Sequence, residues 1–256
     1  MTFEVFSDTD QPAQAPARFL GLAFDLLDVG QVAERLIQRP ALAPFAYVVT
    51  PNVDHVVRLH DEPVPALIDA AYHHAAITLC DSQVLALLAR LRGVVLKVAA
   101  GSDVTECLLA RLAHTDAAIT IIGGDALTVP RLAARYGLAN VAQHVPPMGL
   151  LANEAAQEAA VDFILAHPAR YVFLAVGSPQ QEVIAYKAML RGGATGVGLC
   201  VGASLDYLTG RAHRAPALFR RFALEWLYRL LCEPRRLWRR YLVRSPRIFS
   251  LLRRDD

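Results

Sequence analysis

Lysine is almost missing from this chain of 256 residues: Lys97 and Lys187 stand against 24 arginines. Cysteine is scarce too. Cys80, Cys107, Cys200 and Cys232 show no CxxC or CxxH spacing, which argues against a zinc ribbon or finger and predicts free thiols in a reducing compartment. The eight histidines form no HxH or HExxH pattern, so no metal site is expected. Long apolar runs are lacking. The longest, 94–101 and 196–205, fall far short of the ~20 residues a spanning helix needs. A basic, apolar leader is lacking as well: the first residues, MTFEVFSDTDQPAQAPARF, are acidic and polar, which argues against a signal peptide and predicts a disordered leader over 1–18. Neither GxGxxG nor GxxxxGK[ST] occurs, which removes the usual dinucleotide and P-loop fingerprints.

What is present is a globular composition, 54% AVILMFWYC, in a chain long enough for one full core and an appendage. Short β-rich apolar runs recur at 45–49, 77–80, 94–99, 118–122, 141–145, 171–176 and 195–201. Helical windows lie between them at 53–60, 64–74, 83–91, 104–114, 127–136, 154–167 and 180–191, after a first one at 29–38. Strands alternating with helices imply βαβ units. The expected fold is therefore α/β: a Rossmann-like parallel sheet with helices on both faces over 19–209. Near-continuous apolar strands suit a sheet buried on both sides.

In such sheets ligands bind at the carboxyl ends of the strands. The polar residues there are the candidates. Thr50-Pro51-Asn52 closes one run; Asn52 or Thr50 could cap the next helix or contact a nucleotide or sugar. Asp81 closes another and could be a helix cap or a general base accepting a hydroxyl proton. Gly123-Gly124-Asp125 is either a tight turn or a close backbone approach to a ligand, with Gly124 the candidate contact. Gly177-Ser178-Pro179-Gln180-Gln181-Glu182 starts a helix and puts polar side chains, Gln181 among them, at the same edge. Asp206 follows the last strand and could cap a turn or bind sugar hydroxyls.

The remaining feature is the last stretch, 210–256, the C-terminal Arg-rich helical appendage. Thirteen arginines against four acids give it a charge of +9; the chain as a whole is +2, so residues 1–209 carry −7. Such segregation calls for an anionic partner. Leu237, Trp238, Tyr241 and Leu242 recur at helical spacing, and Arg235, Arg236, Arg239 and Arg240 recur opposite them. A helix of that kind can lie in a membrane interface. The interleaved apolar residues argue against the other reading, a nucleic-acid-binding face.

The C-terminal third resembles the WecG/TagA/CpsF glycosyltransferases (glycosyltransferase family 26). The motifs carrying the likeness are Gly177-Ser178-Pro179-Gln180-Gln181-Glu182, Val201-Gly202-Ala203-Ser204-Leu205-Asp206, Arg214-Ala215-Pro216, Glu225-Trp226-Leu227-Tyr228-Arg229 and Pro234-Arg235-Arg236-Leu237-Trp238-Arg239-Arg240-Tyr241. Thr50-Pro51-Asn52 and Gly101-Ser102-Asp103 match upstream, and the resemblance covers about 19–245. It implies an inverting, metal-independent transferase without a cofactor, acting at the cytoplasmic membrane face. The sugar would pass from a UDP-sugar, N-acetylmannosamine type most usual, to a polyprenyl-diphosphate-linked sugar. By position, Asp81 would be the base. Thr50, Asn52, Gln181 and Asp206 would line the nucleotide-sugar pocket. Appendage arginines, with Arg214 a catalytic candidate and Arg229 and Arg236 beside it, would face diphosphate. The chain departs from the pattern at Cys80 and Ser82 around Asp81, at Gln180 in place of lysine, and at Lys97-Val98 in place of Glu-Arg. The alternatives are a glucosyl or uronosyl transferase of exopolysaccharide assembly and a UDP-sugar-binding relative without turnover. A homo-oligomer is compatible with the sequence.

Overall fold

The computed structural model describes residues 14–61 and 63–254. Of the leader expected over 1–18, residues 1–13 lie outside that range, and Ala17 and Arg18 already belong to a strand. The apolar run that follows folds back on itself. β1 (Ala17–Phe19) and β2 (Leu22–Phe24) pair antiparallel, Phe19 opposite Leu22. Leu20 and Gly21 join them with φ 44° and 76°, the primed turn that strand twist favours. Burial of the Leu20 side chain offsets the strain of its positive φ.

Among the described residues, six strands form one parallel sheet: β3 (Ala46–Val49), β4 (Ile77–Thr78), β5 (Ile119–Gly123), β6 (Val141–His144), β7 (Tyr171–Ala175) and β8 (Val197–Cys200). Their order is β4-β3-β8-β7-β5-β6. The run at 94–99, expected as a further strand, is not one. It touches the sheet through a single parallel bridge, Val98 to Cys80. It lies beyond β4, which is only two residues long, and an edge that short offers no ladder to extend.

Among the described residues, nine helices cover the sheet: α1 (Val29–Gln38), α2 (Val53–Arg58), α3 (Ala66–His73), α4 (Gln83–Leu91), α5 (Gly101–Arg111), α6 (Thr128–Tyr136), α7 (Glu154–Ala166), α8 (Gln180–Arg191) and α9 (Ser204–Leu208). Alternate strand residues serve opposite layers. Tyr47, Val49 and Ile122 pack with α2, α3, α4, α7 and α8. Val48, Ile121 and Leu199 pack with α1, α5, α6 and α9. The chain leaves β3 into the first layer and β8 into the second. The two loops therefore part above neighbouring strands and open a crevice at their carboxyl ends.

The appendage does not follow the expected split of arginines from apolar residues. It contains α10 (Ala217–Arg221), α11 (Glu225–Cys232) and α12 (Pro234–Trp238), then a π-helical stretch (Arg239–Arg244) and a turn that lead into α13 (Ile248–Arg254). The segment from 239 onward packs on α2. Leu237 and Ile248 are buried beneath it. Arg240 turns inward with them, while Trp238, Leu242, Val243 and Phe249 stay exposed. The reason is the acid on α2: Asp54 is buried and draws guanidinium groups under the helix. Among the described residues, no helix is long and apolar enough to cross a membrane.

Candidate active site

A cavity of about 790 Å³ lies over the β3–β8 crevice. Its floor comes from the strand ends and its roof from the appendage. Thr50 follows β3 and donates its hydroxyl to the Cys200 carbonyl at 3.2 Å, stitching the two loops together. Asn52 is the N-cap of α2; its side chain accepts from the Asp54 amide at 3.1 Å. The cap is therefore formed, and the same oxygen, on the cavity wall, also accepts from Arg240 Nη2 at 3.2 Å.

Asp81 follows the bridge at the end of β4. Its amide donates to Pro51 O at 3.1 Å, and its Oδ1 accepts from the Gly101 amide at 2.7 Å. It is not a helix cap; Ser82 performs that task for α4, accepting from the Leu85 amide. Burial pushes the Asp81 pKa up to about 6, and Glu225 adds to the rise. The Gly101 amide, Arg229 and Asn52 oppose it. The outcome is a carboxylate that is ionised near neutrality yet basic enough to take a proton.

Gln181, at the start of α8, is buried and hydrogen-bonds in both directions. Its Nε2 donates to Glu182 at 2.9 Å and its Oε1 accepts from the Gly202 amide at 2.8 Å. It therefore ties the β8 loop to α8 and lines the cavity from behind. Burial raises the pKa of Glu182 beneath it, with Gln181 opposing.

The arginines of the cavity are Arg58, Arg214, Arg221, Arg229, Arg236 and Arg240, and all but Arg58 come from the appendage. They face four acids, Asp54, Asp81, Asp103 and Glu225. Arg214 is held down: it meets Asp103 at 2.6 Å, Ser102 at 2.8 Å and Glu106 at 3.4 Å, at the start of α5. Arg236 pairs with Glu233. Arg229 has no ion-pair partner among the described residues; it lies 5.8 Å from the Tyr207 ring centre. Burial works against its charge, but Tyr241, Tyr207, Glu225 and Asp81 more than offset that.

Seven of the nine residues singled out from the sequence line this cavity: Thr50, Asn52, Asp81, Gln181, Arg214, Arg229 and Arg236. Gly124 and Asp206 do not. Gly124 packs on Thr128 and Gln143 beyond β5, and Asp206 lies 3.4 Å from Arg211. Gly123, one residue earlier, has φ 111° and a backbone so close to Ala175 that a Cβ would sit 2.6 Å from its carbonyl oxygen. The glycine pair therefore serves sheet packing in the first instance. Sequence reasoning passed over Asp54, Arg58, Tyr207 and Arg240. Asp54 and Arg58 did carry a signal: an acid and a base four residues apart on one short helix, where a pair at 2.6 Å forms. Among the described residues no cluster of His, Cys, Asp or Glu has the make-up of a metal centre. Cys80 and Cys200 are buried and Cys232 is exposed, all as free thiols.

A buried carboxylate and a set of guanidinium groups lie together at the open edge of a parallel sheet, an arrangement compatible with a group transferase. The chain belongs to the Glycosyl transferase WecG/TagA/CpsF family, whose model matches residues 17–256. It is also similar to the N-acetylglucosaminyldiphosphoundecaprenol N-acetyl-beta-D-mannosaminyltransferase of Bacillus spizizenii, with 41% identity over 100 residues. That match takes in 39% of this chain and spans 38% of the relative's length.

Proposed function

We propose that this protein is an inverting glycosyltransferase that moves an N-acetylhexosamine or hexose, of the N-acetylmannosamine type, from a UDP-sugar to a polyprenyl-diphosphate-linked sugar in cell-surface polysaccharide assembly. The observation that carries the reading is Asp81: a carboxylate of raised pKa deep in a cavity lined by six arginines. Asp81 takes the proton of the acceptor hydroxyl as that oxygen attacks the sugar's anomeric carbon. The bond to UDP breaks on the other face, and negative charge develops on the leaving diphosphate. Guanidinium groups stabilise that charge without reorganising. Arg229 is the best placed of them, being the one closest in charge coupling to Asp81 and not tied to an acid. Thr50, Asn52 and Gln181 shape the sugar pocket, with Gln181 acting through the Gly202 loop it holds. Asp206 and Gly124 sit beyond the cavity lining and suit the outer, nucleoside end of the donor. Charge compensation by arginine makes the reaction independent of a metal ion.

Purified protein is expected to release UDP from one member of a panel of UDP-sugars only when a polyprenyl-diphosphate-linked N-acetylglucosamine is added. No acceptor-dependent release from any donor would defeat this reading.

The same reading assigns the appendage a membrane-facing role at the inner face of the plasma membrane. Its supporting observation is the exposed series Leu218, Phe222, Leu231, Trp238, Leu242, Val243 and Phe249, interleaved with exposed arginines. Flotation is expected with vesicles of phosphatidylethanolamine and phosphatidylglycerol, and weaker flotation once Trp238, Leu242 and Phe249 are changed to serine together. A shift of DNA mobility at the same salt concentration, without flotation, would instead favour nucleic-acid binding.

A further inference from the structure

A transfer between two diphosphate-bearing substrates needs two places for diphosphate, and the cavity holds a second group of cations apart from Arg229. Resting on the reading above, we propose that Arg58 and Arg240, which line the cavity and share the buried acid Asp54 with Arg244 behind them, form the subsite for the diphosphate of the lipid-linked acceptor.

The first argument is charge. Asp54 is almost fully buried and meets Arg58 at 2.6 Å, Arg244 at 3.2 Å and Arg240 at 3.4 Å. Three guanidinium groups on one carboxylate leave a surplus of two positive charges in a half-buried cluster. Asp54 already gains all it can from them: burial favours its neutral form, yet the arginines hold its pKa below the usual carboxylate range. Glu182 takes up part of that surplus through Arg58, while Arg240 and Arg244 form no ion pair with a further acid among the described residues. Arg240 Nε has Asp54 Oδ2 at 3.4 Å as an ionic contact but makes no hydrogen bond, and Nδ1 of the neighbouring His55, a residue 7% exposed, is buried without a hydrogen-bond partner. Buried polar atoms without partners mark a place where a ligand supplies the missing contacts. A diphosphate, with several acceptor oxygens and about two negative charges, matches that demand.

The second argument is what lies beside it. Leu242 and Phe249 line the same cavity and are each 57% exposed. The order from the cluster outward is cationic, then apolar, which suits a diphosphate with a hydrocarbon chain attached. A nucleoside diphosphate has no use for that exit. The third argument is the route inward. Arg240 donates to Asn52, and Asn52 hydrogen-bonds to Asp81. A diphosphate anchored on Arg240 therefore brings the sugar it carries to the base that must deprotonate it.

Calorimetric titration of the full chain with farnesyl diphosphate, with UDP and with inorganic diphosphate tests this. Arg58→Ala and Arg240→Ala are each expected to weaken farnesyl diphosphate by about tenfold or more, while UDP changes by less than about twofold. The unchanged UDP affinity also certifies that each variant is folded. Arg247→Ala is the control. Arg247 pairs with Asp61 at 2.6 Å, on the same segment but outside the cavity, and its loss is expected to alter neither affinity. The proposal is overturned if farnesyl diphosphate fails to bind, binds no better than inorganic diphosphate, or is unaffected by both variants. It is overturned equally if UDP suffers as much, or if Arg247→Ala matches Arg240→Ala, which would reduce the cluster to a docking contact. These titrations need no turnover. A selective loss of farnesyl diphosphate without any sugar transfer would therefore sink the transferase reading and leave the subsite standing.

Discussion

Changing Asp81 to asparagine is expected to lower transfer by about 10²–10⁴-fold and, at pH 7, to leave the fold more stable than before. Both effects come from one property. The folded pKa of about 6 lies above the ordinary value of 3.8, so folding disfavours the ionised carboxyl. At pH 7 that penalty amounts to about 1–3 kcal/mol once solvent at the cavity mouth is allowed for. Asparagine is neutral and similar in shape, and its oxygen can still accept from Gly101, so the substitution relieves the penalty. The sign follows for the wild type as well. Its stability deficit is fully present above pH 6 and fades as pH falls, vanishing below 3.8, where folded and unfolded forms are both protonated. Activity runs the other way, because the base must be ionised: kcat/KM is expected to fall with unit slope below about pH 6 and to level off above it. Thermal unfolding and pH profiles of the two proteins check both halves. An Asp81→Asn protein that turns over normally would remove Asp81 from the mechanism, whatever its stability.

Arg229→Ala is expected to lower kcat by about 10²–10³-fold, with a smaller change in donor KM. The asymmetry is the point of the test. Charge on the leaving diphosphate grows toward the transition state, so a cation poised for it acts mostly on kcat. Arg214 was the stronger candidate on sequence grounds, but Asp103, Ser102 and Glu106 occupy it. Its charge is largely spent on holding the start of the appendage to α5. Arg229 sits on α11 under no such restraint, close to Asp81, Tyr207 and Tyr241. Lysine at 229 should restore part of the rate, since it keeps the charge and loses the planar fork. A wild-type kcat in Arg229→Ala would mean that the leaving group is neutralised elsewhere in the cavity.

Much of this molecule was legible in the residues. The β-rich runs at 45–49, 118–122, 171–176 and 195–201 are central strands, because a strand covered on both faces must be apolar throughout. The run at 94–99 has the same composition and is not a strand, because pairing depends on a neighbour that β4 is too short to provide. Strand order was not legible at all. It is set by which helix lies on which face, and that choice leaves no mark within any single strand.

Residues at strand ends could be named as candidates because the polarity change there is local. What each does could not be. Asn52 caps a helix and also faces the cavity; Ser82 rather than Asp81 caps α4; Gln181 acts on a loop. The segregation of charge toward 210–256 was written in the composition, and so was the need for an anionic partner. That the arginines turn under the appendage, while Trp238, Leu242 and Phe249 remain outside, was decided by one buried acid, Asp54, on a helix some 180 residues earlier in the chain. Helical periodicity reports which side chains share a face. Only the partner beneath decides which face turns inward, and no local pattern in the appendage records that partner.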